Sequence, residues 1–292
     1  MNKRIVITGV SGFIGKHVAQ EAARRGYNVT GIGRPQECCA EAFDFISADI
    51  RDKDRMIQAM RDQDCVIHLA AVTSNVEFIK APRDCYDINT NGFLNVIDAA
   101  AKGGCKRFVY ASSSAVYRDS FSEHDVLDFR TQNNHYAKTK MMNEMTAKSY
   151  EDIYTMRTTG LRYFNVYGYG ENEKGDYASI ITLFRRARKN SEPLTIYGDG
   201  KQARDLIHVV DVANITLDLL EKGSCPVYNV GTGIATAYST IAEIIDKHHI
   251  KYVPNPLASY QLYTRADTTR LKQILGDYKF TELEKGIDAI RV

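Results

Sequence analysis

The chain has 292 residues, of which 44% are hydrophobic and 25% are charged, and its formal net charge is +2. This length allows a large core, in a main domain with a smaller one beside it. The small net charge argues against nucleic acid or an anionic membrane as a partner, and no apolar run approaches the length of a membrane-spanning helix. The cysteines lack metal-ligand spacing and the N-terminus runs straight into a strand without a signal peptide, so we expect reduced thiols, no metal site and a cytoplasmic location.

Strand-like and helix-like segments alternate through the first two thirds of the chain. The predicted strands are residues 4–8, 28–32, 44–47, 65–69, 107–111 and 155–163, and the helical stretches between them include residues 12–25, 52–60, 84–102 and 135–150. Such alternation predicts an α/β fold, a doubly wound parallel sheet with helices on both faces. A cofactor is then expected outside the carboxyl ends of the strands.

The later part of the chain is irregular and rich in glycine, tyrosine and asparagine. We therefore expect residues 1–165 to form a dinucleotide-binding domain, to which the chain returns at about residues 204–232 through strands at 206–210 and 228–230. Residues 166–203 and 233–292 are expected to form a smaller substrate-binding domain.

The first predicted strand leads directly into three evenly spaced glycines, Gly9, Gly12 and Gly15. A strand, a glycine turn and a helix start aim backbone N–H groups and the positive helix end at a pyrophosphate. We expect these glycines, with Phe13 and Ile14 between them, to bind a dinucleotide. The alternative is a glycine-rich turn that binds nothing.

Tyr136 and Lys140 are four residues apart at the start of a stretch without glycine or proline, and so share one face of a predicted helix. A nearby ammonium lowers the pKa of a phenol, which makes the tyrosine a usable base. Tyr197 and Lys201 have the same spacing but enclose two glycines, which disfavours a helix. The serines at 112–114 follow a predicted strand and can position a reacting hydroxyl, or can simply form local backbone hydrogen bonds.

Several segments together resemble the extended short-chain dehydrogenase/reductase family, in particular its nucleotide-sugar epimerase branch. The segments are residues 8–15, His68-Leu-Ala-Ala71, residues 112–117, the Tyr136/Lys140 pair, Tyr163-Phe-Asn-Val-Tyr-Gly168, residues 196–213 and Tyr228-Asn-Val-Gly-Thr-Gly233. The tail at 263–270 is similar to UDP-galactose 4-epimerases and ADP-heptose epimerases. The resemblance implies a Rossmann-like sheet with a smaller C-terminal α/β substrate domain, and a homodimer formed through the helix that bears the Tyr-Lys pair.

Matched by position, the resemblance implies a role for each candidate residue. Ser113 corresponds to the residue that holds the reacting hydroxyl, Tyr136 to the acid/base, and Lys140 to the residue that holds the nicotinamide ribose and lowers the pKa of the tyrosine. The cofactor is expected to contact Leu69, Ala70, Ala71, Asp49 and Ile50 as well, and Asn89 corresponds to a residue with either a structural role or a contact to the cofactor. Asp49 corresponds to a carboxylate that binds the adenine amino group, unless it is only a solvated strand end.

The substrate residues implied by the resemblance are Ser114, Asn165, Arg204 and Arg265. Asn165 corresponds to a residue that touches the substrate, and Arg204 to an arginine that holds the nucleotide diphosphate; the alternative for Arg204 is a surface charge. A basic residue usual near residue 257 is missing, and Arg265 is a substitute for it. The partner implied is a nucleotide-diphosphate sugar.

Two departures from the family pattern bear on the reaction. Where NAD-preferring relatives end the second strand with an aspartate, this chain has Gly33 followed by Arg34. The change favours NADP over NAD through an ion pair between Arg34 and a 2′-phosphate, unless Arg34 stacks on adenine or faces solvent. The acid pair with which dehydratases eliminate water is replaced by Ser114 and Ala115, which argues against dehydration.

The leading interpretation is a nucleotide-sugar 4-epimerase that moves a hydride between carbon 4 and the nicotinamide through a 4-keto intermediate. The alternative is an NADPH-dependent 4-keto-sugar reductase, in which the same residues act once. A third interpretation, a cofactor-sensing binding protein, is disfavoured by the intact set of Ser113, Tyr136 and Lys140.

Overall fold

The computed structural model describes residues 3–34, 43–117, 129–130, 132–255 and 262–290, apart from the side chains at 172, 173 and 176. The chain forms two compact units, Met1–Arg162 with Ala213–Tyr228, and Tyr163–Val212 with Asn229–Val292. We had expected residues 204–212 in the first domain, but they belong to the second unit.

Helices and strands alternate as follows. The strands are β1 (Arg4–Thr8), β2 (Asn28–Gly33), β3 (Asp44–Ser47), β4 (Cys65–His68), β5 (Arg107–Ser113), β6 (Arg157–Tyr163), β7 (Asn165–Tyr167), β8 (Leu194–Tyr197), β9 (Ala203–His208), β10 (Val227–Val230), β11 (Ala235–Ala237) and β12 (Ile250–Val253). The α-helices are α1 (Phe13–Arg24), α2 (Lys53–Ala59), α3 (Asn75–Lys80), α4 (Pro82–Tyr86), α5 (Phe93–Lys102), α6 (His135–Ile153), α7 (Ile180–Lys189), α8 (Val209–Lys222), α9 (Tyr238–Asp246), α10 (Thr269–Leu275) and α11 (Leu283–Asp288). A π-helical segment, Asp87–Gly92, joins α4 to α5.

The large sheet has seven strands in the order β10-β6-β5-β4-β1-β2-β3. The pairs β3/β2, β2/β1, β1/β4 and β4/β5 are parallel, and Ile5, Val6, Ile7, Val66 and Ile67 are fully buried. Continuous burial is what a parallel sheet covered on both faces requires. The strand order reverses between β1 and β4, which is where such sheets bind ligands. The predicted α/β, Rossmann-like fold class is confirmed.

The predicted return to this sheet at residues 206–210 was wrong. β9 lies instead in a three-stranded sheet of order β11-β9-β7, and β8 pairs with β12. The strand ends at His208, and α8 begins at Val209 because burial there has a helical period: Val209, Val212 and Ala213 are buried, whereas Val210 is 47% exposed. The run of apolar residues across this boundary is what suggested a longer strand.

A buried carboxylate organises the second unit. Asp205, on β9, accepts hydrogen bonds from the backbone N–H and the hydroxyl of Thr232 at 2.8 and 2.7 Å, from the N–H of Gly233 at 2.8 Å and from that of Ala266 at 2.9 Å. Two separate loops are thereby tied to one strand, since each N–H would otherwise be buried without an acceptor.

We expect Asp205→Asn to lower the free energy of unfolding by about 1–3 kcal/mol, because an amide nitrogen would face N–H donors that need an acceptor. Urea denaturation measures the change. The matched control is Asp199→Asn, whose side chain is 64% exposed, and which should alter stability by less than about 0.5 kcal/mol. Equal effects of the two substitutions would contradict the assignment.

Within the described ranges, no helix is both long and apolar enough to cross a membrane. The described part of the chain also contains no group of three or more His, Cys, Asp or Glu side chains arranged to hold a metal ion. Cys65 and Cys105 are buried, and burial raises the pKa of their thiols to about 11 and about 12. Both therefore remain protonated, apolar core residues at neutral pH.

Candidate active site

A cavity of about 500 Å³ lies in the first unit, at the carboxyl ends of β1, β2, β3 and β4. The predicted cofactor residues that line it are Gly9, Gly12, Arg34, Asp49, Ile50, Leu69, Ala70 and Ala71. The loops after β1 and β4 contribute most of them, so the cavity lies at the point where the strand order reverses. The lining combines exposed main chain with a few charged side chains.

The glycine loop after β1 is packed too closely for side chains. Gly9 has a φ of +78°, and a Cβ there would lie 2.7 Å from the Ala70 nitrogen. A Cβ on Gly15 would lie only 2.0 Å from the Gly9 carbonyl oxygen. Phe13 and Gly15 are buried in the first turn of α1 and Ile14 is half-buried, so these three shape the loop. The loop and the start of α1 fit a pyrophosphate.

The loop after β4 is fixed by a buried histidine. His68 Nδ1 lies 2.8 Å from Thr8 Oγ1, which also accepts a 3.3 Å hydrogen bond from the Ala70 N–H. Burial lowers the pKa of His68 to about 3, so that the ring is neutral and packs edge-on against Phe93. His68 thus holds the loop of Leu69 to Ala71 against β1.

Asn89 supports the cavity from behind. It is buried on the π-helical segment, accepts a hydrogen bond from the Val72 N–H at 2.8 Å, and donates to the Val72 carbonyl at 2.9 Å and to Thr139 Oγ1 at 3.1 Å. Both amide hydrogens are therefore used within the protein. Of the two roles expected for Asn89, these contacts favour the structural one, in which it holds Val72, a residue that lines the cavity.

At the cavity's end between β2 and β3, charged side chains surround Asp49. Arg51 donates to Asp49 from its backbone N–H at 2.9 Å and from its guanidinium at 2.8 Å, and these bonds lower the pKa of the Asp49 carboxyl. A Cβ on Gly33 would lie 2.3 Å from Ser11 Oγ, which donates to the Arg34 carbonyl at 3.0 Å. The serine therefore occupies the space into which an acidic side chain at position 33 would have to extend.

The predicted acid–base residues meet at the end of β5. Asn134 caps α6 by accepting from the Ala137 N–H at 3.1 Å, and the helix then carries Tyr136 and Lys140 as the spacing predicted. The Ser113 hydroxyl lies near the Tyr136 phenol and acts to lower its pKa. Lys140 is 2% exposed; its Nζ donates to the Ala111 carbonyl at 2.8 Å and lies 5.7 Å from the centre of the Tyr136 ring.

The charge state of Tyr136 differs from our expectation. Burial raises the pKa of the Tyr136 phenol to about 12, and the Ser113 hydroxyl opposes that rise. Burial lowers the pKa of Lys140 to about 8, with the Glu144 carboxylate acting in the other direction. In the protein without ligands, desolvation is therefore the dominant effect, and Tyr136 holds its proton at neutral pH.

The predicted substrate residues lie in both units. Ser114, in the first unit, begins a short 3₁₀ turn. In the second, Asn165 donates to the Asp205 carbonyl at 3.1 Å and to Thr264 Oγ1 at 3.0 Å. Arg204 is 7% exposed, so it is not a surface charge, and its guanidinium lies 5.5 Å from the Tyr238 ring centre. Arg265 is exposed; residues 256–261 before it lie outside the described residues.

Several residues around the site were missed from the sequence. Ser11, Val72 and Ile88 line the cavity; Ser11 lies inside the glycine motif, which could have revealed it. Glu144 and Arg162 form a buried ion pair beside the acid–base residues. The position of Glu144, one helical turn after Lys140, is a signal for it, whereas Arg162 has none in the sequence.

Comparison with known proteins agrees with this geometry. The model of the NAD dependent epimerase/dehydratase family matches residues 5–231. An ADP-L-glycero-D-manno-heptose-6-epimerase of Alkalilimnicola ehrlichii is 32% identical, over 97% of this chain and 95% of that protein. A UDP-N-acetyl-alpha-D-glucosaminuronate decarboxylase of Bacillus cytotoxicus is 30% identical, over 98% of this chain and 96% of that protein.

Among solved structures, the UDP-glucose 4-epimerase of Thermotoga maritima with UDP-glucose superposes with a TM-score of 0.88, at 27% identity, over 98% of this chain and 96% of that one. The relatives share the fold but differ in reaction, and the predicted resemblance to the nucleotide-sugar epimerase branch is confirmed. By its match over most of its length, the chain belongs to the NAD-dependent epimerase/dehydratase family of enzymes.

Proposed function

We propose that the chain is a nucleotide-sugar 4-epimerase. The observation that carries the proposal is the placement of the Ser113 hydroxyl near the Tyr136 phenol, with the buried Lys140 ammonium 5.7 Å from the centre of the phenol ring. The same unit contains a cavity whose main chain fits a dinucleotide. A phenol, a hydroxyl and an ammonium so arranged are suited to move a proton on and off a sugar hydroxyl.

In the proposed mechanism, Ser113 binds the 4-hydroxyl of the sugar and Tyr136 takes its proton. A bound nicotinamide would accept the hydride from carbon 4 and later return it. The 4-keto sugar turns over in the site, and Tyr136 gives the proton back to the oxygen when the opposite face has been reduced. Lys140 would hold the ribose of a bound nicotinamide, and its ammonium would favour the phenolate while the sugar hydroxyl loses its proton.

The proposed cofactor is NAD or NADP, with NADP favoured. Because position 33 is glycine, it carries no carboxylate that would repel a 2′-phosphate. Ser11 occupies the space beside Gly33. Arg34 is exposed at the rim and Arg51 is engaged with Asp49, so two guanidinium groups flank this end of the cavity. Competitive binding of NAD and NADP to wild type and to Arg34→Ala tests the preference.

The proposed substrate is a nucleotide-diphosphate sugar, by analogy with the UDP-glucose bound in the Thermotoga maritima structure. Ser114, Asn165, Arg204 and Arg265 are proposed to contact it. We propose further that the protein acts in the cytoplasm as a homodimer. Alanine at Arg204 is expected to raise KM more than it lowers kcat, since the guanidinium is assigned to the diphosphate and not to the reacting carbon.

The second candidate is the NADPH-dependent 4-keto-sugar reductase, favoured by Gly33 and Arg34. We expect purified protein, supplied with nucleotide sugars and NAD or NADP, to convert one sugar to its stereoisomer, with no change in mass by mass spectrometry and no net change in nicotinamide absorbance. Stoichiometric consumption of NADPH with a 4-keto sugar would establish the reductase instead. Loss of carbon dioxide or of water from the sugar would overturn both candidates.

A further inference from the structure

A buried ion pair lies directly behind the acid–base residues. Arg162, on β6, donates to Glu144, on α6, from Nε at 2.9 Å and from Nη2 at 2.7 Å, one bond to each carboxylate oxygen. The side chains are only 5% and 11% exposed. The remaining Arg162 nitrogen, Nη1, donates to the Tyr117 hydroxyl at 2.7 Å. A two-pronged pair of this kind fixes the orientation of the carboxylate.

Glu144 also binds the strand that carries the proposed catalytic serine. Ser112 Oγ donates to Glu144 Oε1 at 2.5 Å. Two consecutive residues of β5 are therefore hydrogen-bonded to α6, Ala111 through Lys140 and Ser112 through Glu144, and the next residue, Ser113, lies near Tyr136. The contact at Ser112 also involves a third element, β6, because Arg162 holds the carboxylate.

Glu144 also affects the charge of Lys140. The Glu144 carboxylate favours the charged form of Lys140, whereas burial disfavours it. The neighbouring Tyr136 and His68 do not favour the charged form. His68, on β4, is neutral, because burial lowers its pKa to about 3. Around Glu144 itself lie Arg162, Tyr117 and Tyr110, and burial raises the pKa of Tyr110 well above its usual value. Over the neutral range Tyr110, Tyr136 and His68 do not change charge.

We propose that Glu144 is a positioning residue for the acid–base site: it keeps the buried Lys140 side chain charged and holds the end of β5, and with it Ser113, against Tyr136. The consequence for turnover rests on the function proposed above. The effect on Lys140 does not, because it concerns the protein without ligands. The two can therefore be tested separately.

The direct test is the titration of Lys140 in the protein without ligands, by NMR of the lysine side chains after isotope labelling. Lys140→Met identifies the resonance by its disappearance. In Glu144→Gln we expect Lys140 to lose its proton about one pH unit lower than in wild type, since an opposite charge nearby has been removed. An unchanged titration would overturn the proposal.

The matched control is Asp152→Asn. Asp152 pairs with Lys148 on the same helix, four residues apart, but both side chains are more than half exposed. The same loss of charge there should leave the titration of Lys140 unchanged. If Glu144→Gln does not fold, because Arg162 is left buried without a partner, the double variant Glu144→Gln/Arg162→Met removes both charges. The pKa of Lys140 should then fall in the same direction but by less, because the loss of the Arg162 charge partly offsets the loss of the carboxylate; no fall at all would overturn the proposal.

Turnover supplies the second measurement. The loss of kcat/KM at alkaline pH should begin about one pH unit lower in Glu144→Gln than in wild type or Asp152→Asn. In Ser112→Ala, which keeps the carboxylate but loses its bond to β5, kcat should fall without a shift in that pH. A pH profile of Glu144→Gln identical to that of wild type would contradict the role assigned to Glu144. Full activity of Tyr136→Phe would instead overturn the proposed function, and the titration of Lys140 would then remain as the test of Glu144.

Discussion

Replacement of Tyr136 by phenylalanine is expected to lower kcat by about 10²- to 10⁴-fold, the usual contribution of a positioned general acid or base. The ring is retained, so its contact with Phe78, at 6.2 Å between ring centres, persists and the fold should be unaffected. KM should change little, because the phenol is assigned to the chemical step. Steady-state kinetics, with circular dichroism to verify folding, measures the effect.

The control for this substitution is Tyr86→Phe. Tyr86 also packs on Phe78, with ring centres 5.9 Å apart, but its hydroxyl lies 3.2 Å from His135 Nδ1 and not at Ser113. Removal of that hydroxyl should leave kcat within about twofold of wild type, as expected for a group that takes no part in the chemical step. Comparable losses in the two variants would show that the aromatic cluster, and not the proposed proton transfer, sets the rate.

The pH dependence of the wild-type enzyme follows from the burial of Tyr136. Because burial raises the pKa of the phenol to about 12, the protonated form predominates throughout the neutral range, and the base is the scarce form. Oxidation of the sugar should therefore accelerate as the pH rises, until Lys140, with a pKa of about 8, loses its charge. Below the pH at which Lys140 loses its charge, the measured rate of sugar oxidation should rise with pH and the measured rate of keto-sugar reduction should fall.

The elements that the sequence predicted well are those whose signal is local. The glycines after β1 follow from the need for close main-chain packing, and Gly15 and Gly9 show that need directly. The Tyr136/Lys140 spacing required only a helix, which Asn134 begins. The α/β class followed from strict alternation, which is a property of the chain order itself.

The parts that could not be predicted depend on contacts between residues distant in the sequence. β9 pairs with β7 and β11 instead of joining the large sheet. The residues of β9 themselves show no pattern that indicates which of the two sheets it joins. The raised pKa of Tyr136 depends on how far residues distant in the sequence, such as Phe78, cover the half-buried phenol. The spacing of Tyr136 and Lys140 predicts that the two residues are close together, but it does not predict the extent of this desolvation.

Gly15→Ala is expected to weaken NAD binding by about 10- to 100-fold, because restoring the displaced loop to its binding geometry costs about 1–3 kcal/mol. The added methyl group would lie 2.0 Å from the Gly9 carbonyl oxygen and 2.7 Å from its carbon. Both are backbone atoms that cannot rotate away, so the loop must move. The same overpacking should lower the free energy of unfolding by about 1–3 kcal/mol. Calorimetric titration with NAD and urea denaturation measure the two effects.

Gly276→Ala separates the loss of binding from the loss of stability. Gly276 has a φ of +67° and a ψ of −149°, a conformation essentially restricted to glycine, and a Cβ there meets no described atom within 4 Å. The methyl group therefore strains the backbone by about 1–3 kcal/mol without displacing a neighbour. Gly276→Ala should lower the free energy of unfolding by an amount in the same range as Gly15→Ala. Its affinity for NAD, however, should equal that of wild type. If Gly15→Ala also bound NAD normally, the close packing of Gly15 on Gly9 would serve the fold of α1 alone, and the pyrophosphate would have to be held elsewhere than on the loop of Gly9 to Gly12.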